Sequence, residues 1–185
     1  MRNRKEDKNT IDLSDYMDSI SIDVYSSYIK KHFLTPIQLK IKGAIILEKL
    51  PLFDNVYDPR SRNWGKRVEE ELEIFEFLKE KFVQQVGFPV YDGLAQVSGN
   101  NRLWHALFRM NKRSRGRKIE LRLDLRYPYK FPRAKRAARE THVNLGEKCL
   151  GTLTKRWRAD GKFGIPHFLV ILSYYFALEH TSLKV

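Results

Sequence analysis

The sequence predicts an α+β protein: an antiparallel β-meander of about four strands, with one helix before it, one after it, and an extra helical extension at the amino terminus. Three observations carry this reading. Apolar residues recur at helical spacing over 65–83, the period falls to two across three successive segments between 90 and 126, and an apolar helical run returns over 165–179.

Taken in order, residues 1–13 are mostly charged, as in a disordered arm. From Ser14 to Phe33, Met17, Ile20, Val24 and Tyr28 fall on one helical face, with acids early and Lys30-Lys31 late to suit the helix dipole. Thr35-Pro36-Ile37-Gln38 reads as a capping box that opens a second helix, ended near Leu50 by Pro51. A loop through Asp58-Pro59-Arg60-Ser61 follows. The clearest helix spans Gly65 to Val83, where Val68, Leu72, Phe75, Leu78 and Phe82 form an apolar stripe, and Gly87 ends it.

Strands are predicted at 90–97, 102–110 and 118–126. In the third, Ile119, Leu121, Leu123 and Leu125 alternate with Glu120, Arg122, Asp124 and Arg126, the pattern of a sheet with one dry face. Ser98-Gly99-Asn100-Asn101 and Ser114-Arg115-Gly116 supply the turns, so a meander is the economical topology. Residues 133–141 make a poor fourth strand because of their alanines, and Ile165 to Glu179 forms the last helix. The predicted organisation is an arm at 1–13, a helical extension at 14–60 and a main domain at 61–185.

Apolar residues at 42% and aromatics at 12% provide for a buried core, and 31% charged residues argue against a membrane protein. The most apolar stretch, 165–178, contains Pro166, His167 and Ser173 and falls short of the ~20 residues that a bilayer needs. The first residues are charged, with no apolar segment of a secretory leader behind them. A reducing, cytoplasmic setting is the expectation.

The net charge of +13 is concentrated. Residues 111–140 hold twelve Lys/Arg against three acids, mostly in 112–118 and 133–139, whereas residues 1–60 hold ten against nine. A field of this kind attracts phosphates or an acidic protein partner, and Arg113, Arg115, Arg117, Lys135 and Arg136 are its candidate partner-binding residues. The five histidines show no paired metal-ligand spacing, no Gly-rich loop with lysine is present, and no Gly-x-Ser-x-Gly elbow occurs, so neither a metal nor a cofactor is expected.

Cys149 is the only cysteine. It can form no intramolecular disulfide and no multi-cysteine metal site, which leaves a small buried residue or a nucleophile. Four ordered landmarks surround it. Tyr127-Pro128-Tyr129-Lys130-Phe131-Pro132 follows the third strand, His142-Val143-Asn144 begins ten residues past Pro132, Cys149-Leu150 follows, and Trp157 stands eight residues beyond the cysteine. Over residues 65–180 this order and spacing resembles the ubiquitin-conjugating enzymes, whose Tyr-Pro-x-x-x-Pro, His-Pro-Asn, catalytic Cys-Leu and tryptophan it parallels.

The resemblance implies a ubiquitin-conjugating-like fold and thioester exchange. Cys149 would accept a small protein modifier from an activating enzyme and pass it to an amine, usually a substrate lysine, with or without a ligase. Asn144 would support the oxyanion formed as the amine attacks, and Glu179 would stand at the acidic gate for the incoming lysine. Lys148 would favour the thiolate. His142, Tyr127, Pro128, Pro132 and Trp157 would be structural.

Some features depart from the family. Asn144 stands five positions before Cys149, a shorter spacing than usual, and Val143 replaces a proline. Where the family's first helix offers basic residues to the activating enzyme, this one carries Glu69, Glu70, Glu71, Glu73, Glu76 and Glu80, so that partner would dock elsewhere, through 111–139 or the amino-terminal helices. Two other readings stay open: a catalytically silent binding or scaffold module, and a nucleic-acid-binding protein using the basic segment with Trp104, Tyr127 and Tyr129 as stacking platforms.

Overall fold

The computed structural model describes residues 36–109, 112–113, 115–136, 144–145 and 157–182, of which 36–41, 136, 144–145 and 176–182 are described by their backbone alone. The amino-terminal arm, the expected helix at 14–33 and the capping Thr35 lie outside the described residues.

Helix α1 spans Pro36–Lys49 and helix α2 spans Trp64–Val86. Gly87 closes α2 in the left-handed conformation, φ +83°, its N–H bonding back to Val83 O, a geometry that costs glycine nothing sterically. The meander follows: β1 (Tyr91–Val97), β2 (Asn100–Phe108), β3 (Arg117–Arg122), β4 (Arg133–Arg136) and β5 (Asn144–Leu145), in that spatial order, each antiparallel to its neighbour. Helix α3, Ile165–Ser182, completes the order. None of the described helices is long and apolar enough to cross a membrane.

One face of the sheet is dry. Trp104, Ala106 and Phe108 of β2, Ile119 and Leu121 of β3, and Ala134 of β4 face Phe75, Leu78 and Phe82 of α2 and Phe168, Leu169 and Leu172 of α3 in a single core cluster. Fully burying one such side chain contributes about 1.5–3 kcal/mol. Tyr91 pins β1 to α3 by donating its hydroxyl to Leu169 O at 2.8 Å.

Several boundaries differ from the sequence reading. The predicted third strand ends early, at Arg122, and a turn follows, so Leu123 still reaches the core but Leu125 is 51% exposed. The two-residue β5, which was not expected, pairs Leu145 with Ala134 and Asn144 with Lys135. Along α2 the buried stripe is turned from the predicted one: Trp64, Arg67, Glu71, Ile74, Phe75, Leu78 and Phe82 are buried, Val68 is half-buried and Leu72 is exposed. The segment read as an extension also reaches the main core. Ile46 and Leu50 from α1 and its end, and Phe53 beyond them, belong to that cluster, and a Cβ on Gly43 would stand 3.5 Å from Val170 of α3.

Candidate functional site

The Tyr-Pro segment meets α2 in a buried polar network. Arg67 and Glu71 pair at 2.9 Å across one turn of α2, both side chains without solvent contact. Arg67 Nη1 donates to Asn55 O at 2.6 Å and Nη2 to Phe163 O at 2.9 Å, while the guanidinium lies 3.5 Å from the centroid of the Phe53 ring. Glu71 also accepts the Tyr127 hydroxyl, and its other oxygen accepts the N–H of Ile165, the first residue of α3, at 2.7 Å. Thus α2, the loop at 53–55, the Tyr-Pro turn and the start of α3 are tied at one point.

Burial pushes the Glu71 carboxyl upward, and Arg67, the Tyr127 hydroxyl and the Ile165 N–H each pull it back down. Two of those partners, the guanidinium and the N–H, can only donate, which suits an ionised carboxylate. The Tyr127 phenol is held well above its ordinary range, first by burial and then by the adjacent Glu71 charge. Tyr127 is therefore a neutral donor at any physiological pH.

Beside this network stands an aromatic cluster. Trp157 donates its indole N–H to Pro128 O at 3.2 Å and packs edge-on against Phe131, Phe163 and Phe168. Pro128 and Pro132 are buried, and the Tyr127–Pro128 peptide bond is cis. His167, fully buried on α3, stacks on Phe163 with centroids 4.3 Å apart and accepts the Gly164 N–H on Nδ1. Burial, then the Arg67 and Arg158 charges, lower its pKa to about 3, so the imidazole is neutral.

These contacts fix both ends of one stretch of chain. At its start Leu145 is paired with Ala134, and at its end Trp157 is bonded to Pro128. Between them lie Lys148 and Cys149, which with His142 fall outside the described residues. Asn144 is placed by its backbone opposite Lys135, and Glu179 lies on α3; the side chains of both fall outside the described residues.

The basic residues separate into two places. Arg113, Arg115 and Arg117 are exposed around the β2–β3 connection, whereas Lys135 lies half-buried on β4 opposite Glu120, with the Arg136 backbone opposite Ile119. Of the three aromatics read as stacking platforms, Trp104 and Tyr127 are fully buried in the core and cannot meet a base; Tyr129 alone, 54% exposed, can. On α2, Glu69, Glu73, Glu76 and Glu80 face solvent. Glu70 instead accepts the backbone N–H groups of Asp54 and Asn55.

Sequence reasoning missed the Arg67–Glu71 pair because charges four apart on a helix ordinarily mark a solvated face. The signal was nevertheless present: both residues continue the line of Trp64, Ile74 and Leu78. Among the described residues no group of three His, Cys, Asp or Glu side chains could hold a metal ion. No protein-family model and no curated protein sequence matches the chain.

Proposed function

We propose that the chain is a conjugating enzyme for a small protein modifier, with a ubiquitin-conjugating-like fold and Cys149 as its nucleophile. The observation that supports this reading is the two-sided anchoring of the cysteine's segment, by Leu145 on β4 and by Trp157 on the Tyr-Pro turn. Helix α2, the meander with the Tyr-Pro turn between β3 and β4, and helix α3 follow one another in an order compatible with that resemblance.

In the proposed reaction the Cys149 thiolate attacks the modifier's carboxyl-terminal carbonyl, held as a thioester on the activating enzyme. A new carbon–sulfur bond forms as the old one breaks, and the activating enzyme's thiolate leaves. A substrate amine then attacks the carbonyl and loses a proton, and the Cys149 sulfur departs as thiolate, leaving an amide. Lys148 favours the thiolate, Asn144 donates to the transient oxyanion and Glu179 orients the amine. The exposed acids of α2 direct the activating enzyme elsewhere, to the basic surface of residues 111–139 or to the amino-terminal helices.

The test combines the chain with its cognate activating enzyme, modifier and ATP, followed by electrophoresis with and without reductant. The expected product is an adduct that reductant removes, that Cys149→Ala abolishes, and that Cys149→Ser converts to a reduction-resistant ester. Failure of any reducible adduct to form with a competent activating enzyme would overturn the reading in favour of a silent binding module.

A further inference from the structure

At the end of the sheet nearest the turn after β3, Arg102, Arg122 and Arg133 line a cleft of about 160 Å³ together with Leu123, Asp124 and Leu125. The three arginines come from three adjacent strands. Arg122 and Arg133 are direct cross-strand partners, whereas the neighbouring pair, Glu120 and Lys135, is of opposite charge. Like charges directly opposed in an antiparallel ladder destabilise it, so this position carries an electrostatic cost.

The nearby acids offset it only in part. Glu120 reaches Arg122 only at 3.9 Å, and among the described residues neither Arg102 nor Arg133 forms an ion pair. Asp124 accepts the Arg126 N–H at 3.0 Å, has Arg126 and Lys130 at 3.9 and 4.0 Å, and is held below its ordinary pKa first by that N–H and in part also by the Arg133 charge. Arg102 is held in place by donating Nε to Leu123 O at 3.0 Å, which keeps its guanidinium at the cleft.

We infer that this cleft recognises a phosphomonoester carried on a peptide segment of a partner protein. Three guanidinium groups against one carboxylate leave a surplus of two positive charges, which a phosphomonoester of about −1.5 to −2 matches and a phosphodiester or carboxylate, at −1, does not. No aromatic ring lines the cleft, so a nucleic-acid base would find no stacking platform there. Leu125, exposed at one wall, offers apolar contact to a flanking peptide side chain.

The test measures fluorescence anisotropy of a labelled short peptide with one phosphoserine between neutral residues, its unphosphorylated form, and a labelled oligothymidylate. Inorganic phosphate serves as competitor at matched ionic strength. The phosphopeptide is expected to bind about tenfold or more tightly than its unphosphorylated form, and phosphate to displace it. R122Q/R133Q should abolish the preference, Arg133→Lys, which keeps charge but not the forked geometry, should reduce it, and R113Q/R115Q, with the same loss of charge at the other end of the sheet, should retain it. Cys149→Ala should bind as wild type, so the outcome is separable from any thioester activity. Equal binding of the two peptides, equal losses in the two double variants, or tighter oligothymidylate binding that depends on Arg122 and Arg133 would each overturn the inference.

Discussion

Tyr127 donates its hydroxyl to Glu71, a buried phenol bonded to a buried carboxylate across 56 residues of sequence. The bond joins the turn after β3 to α2, and Arg67 supplies the countercharge. Removing either end of this arrangement has unequal consequences. Glu71→Ala leaves a guanidinium enclosed without an anion, which costs about 3–5 kcal/mol of stability. Tyr127→Phe deletes one hydrogen bond to a charged group, about 1.5–3 kcal/mol. Urea denaturation of the two single variants and of the double should show sub-additive losses, because both act on one network. A Glu71→Ala loss below about 1 kcal/mol would contradict the buried pairing.

Gly164 precedes α3 where no side chain fits. A Cβ there would stand 2.4 Å from the Phe53 ring and 2.6 Å from a Glu71 oxygen. Gly164→Ala should therefore cost about 1–3 kcal/mol in thermal denaturation. In a Phe53→Leu background, which vacates part of the space, the added cost of the alanine should shrink. Strictly additive losses would show that Phe53 is not what the methyl meets.

What was legible in the sequence was periodic. The change from a 3.6 to a 2.0 repeat located α2 and the first three strands within a few residues, and Gly87 ends α2 at the expected place. What was illegible depended on contacts between distant segments. The burial of Arg67 depends on Phe53, Phe163 and Tyr127 converging on it from other segments, and Leu125 looked like a core residue because alternation carries no mark where a strand stops. Trp104 and Tyr129 illustrate the same limit: composition cannot distinguish a ring in the core from one on a turn. Of the residues singled out around Cys149, two, Pro128 and Trp157, touch, a contact between segments 29 residues apart that spacing alone does not show.

His167 makes the fold sensitive to acid. Its pKa is lowered from 6.5 to about 3, by burial first and by Arg67 and Arg158 next, so in this range the unfolded chain binds more protons than the folded one. Its contribution is complete above pH 6.5 and is withdrawn as pH falls towards 3, by at most about 1.4 kcal/mol per pH unit. Urea titrations between pH 7 and 4 should show this slope. His167→Phe should flatten it while keeping a ring against Phe163, whatever constant cost follows from losing the acceptor of the Gly164 N–H. An unchanged slope would assign the acid sensitivity to the carboxylates.

Trp157 separates packing from hydrogen bonding at the end of the cysteine segment. Trp157→Phe keeps aromatic contact with Phe131 and Phe168 but loses the bond to Pro128 O, at a cost of about 0.5–1.5 kcal/mol. Trp157→Ala removes both, and with them the contacts that hold position 157. On the proposed reading, iodoacetamide should alkylate Cys149 at a different rate in Trp157→Ala than in wild type and the thioester adduct should form more slowly, because positioning of a reacting group is lost with the contact that holds it. Trp157→Phe should lie close to wild type in both assays. Should the alanine variant unfold less than a tenth of the population yet alkylate and conjugate as wild type, the Pro128–Trp157 contact would be excluded as what positions the proposed nucleophile.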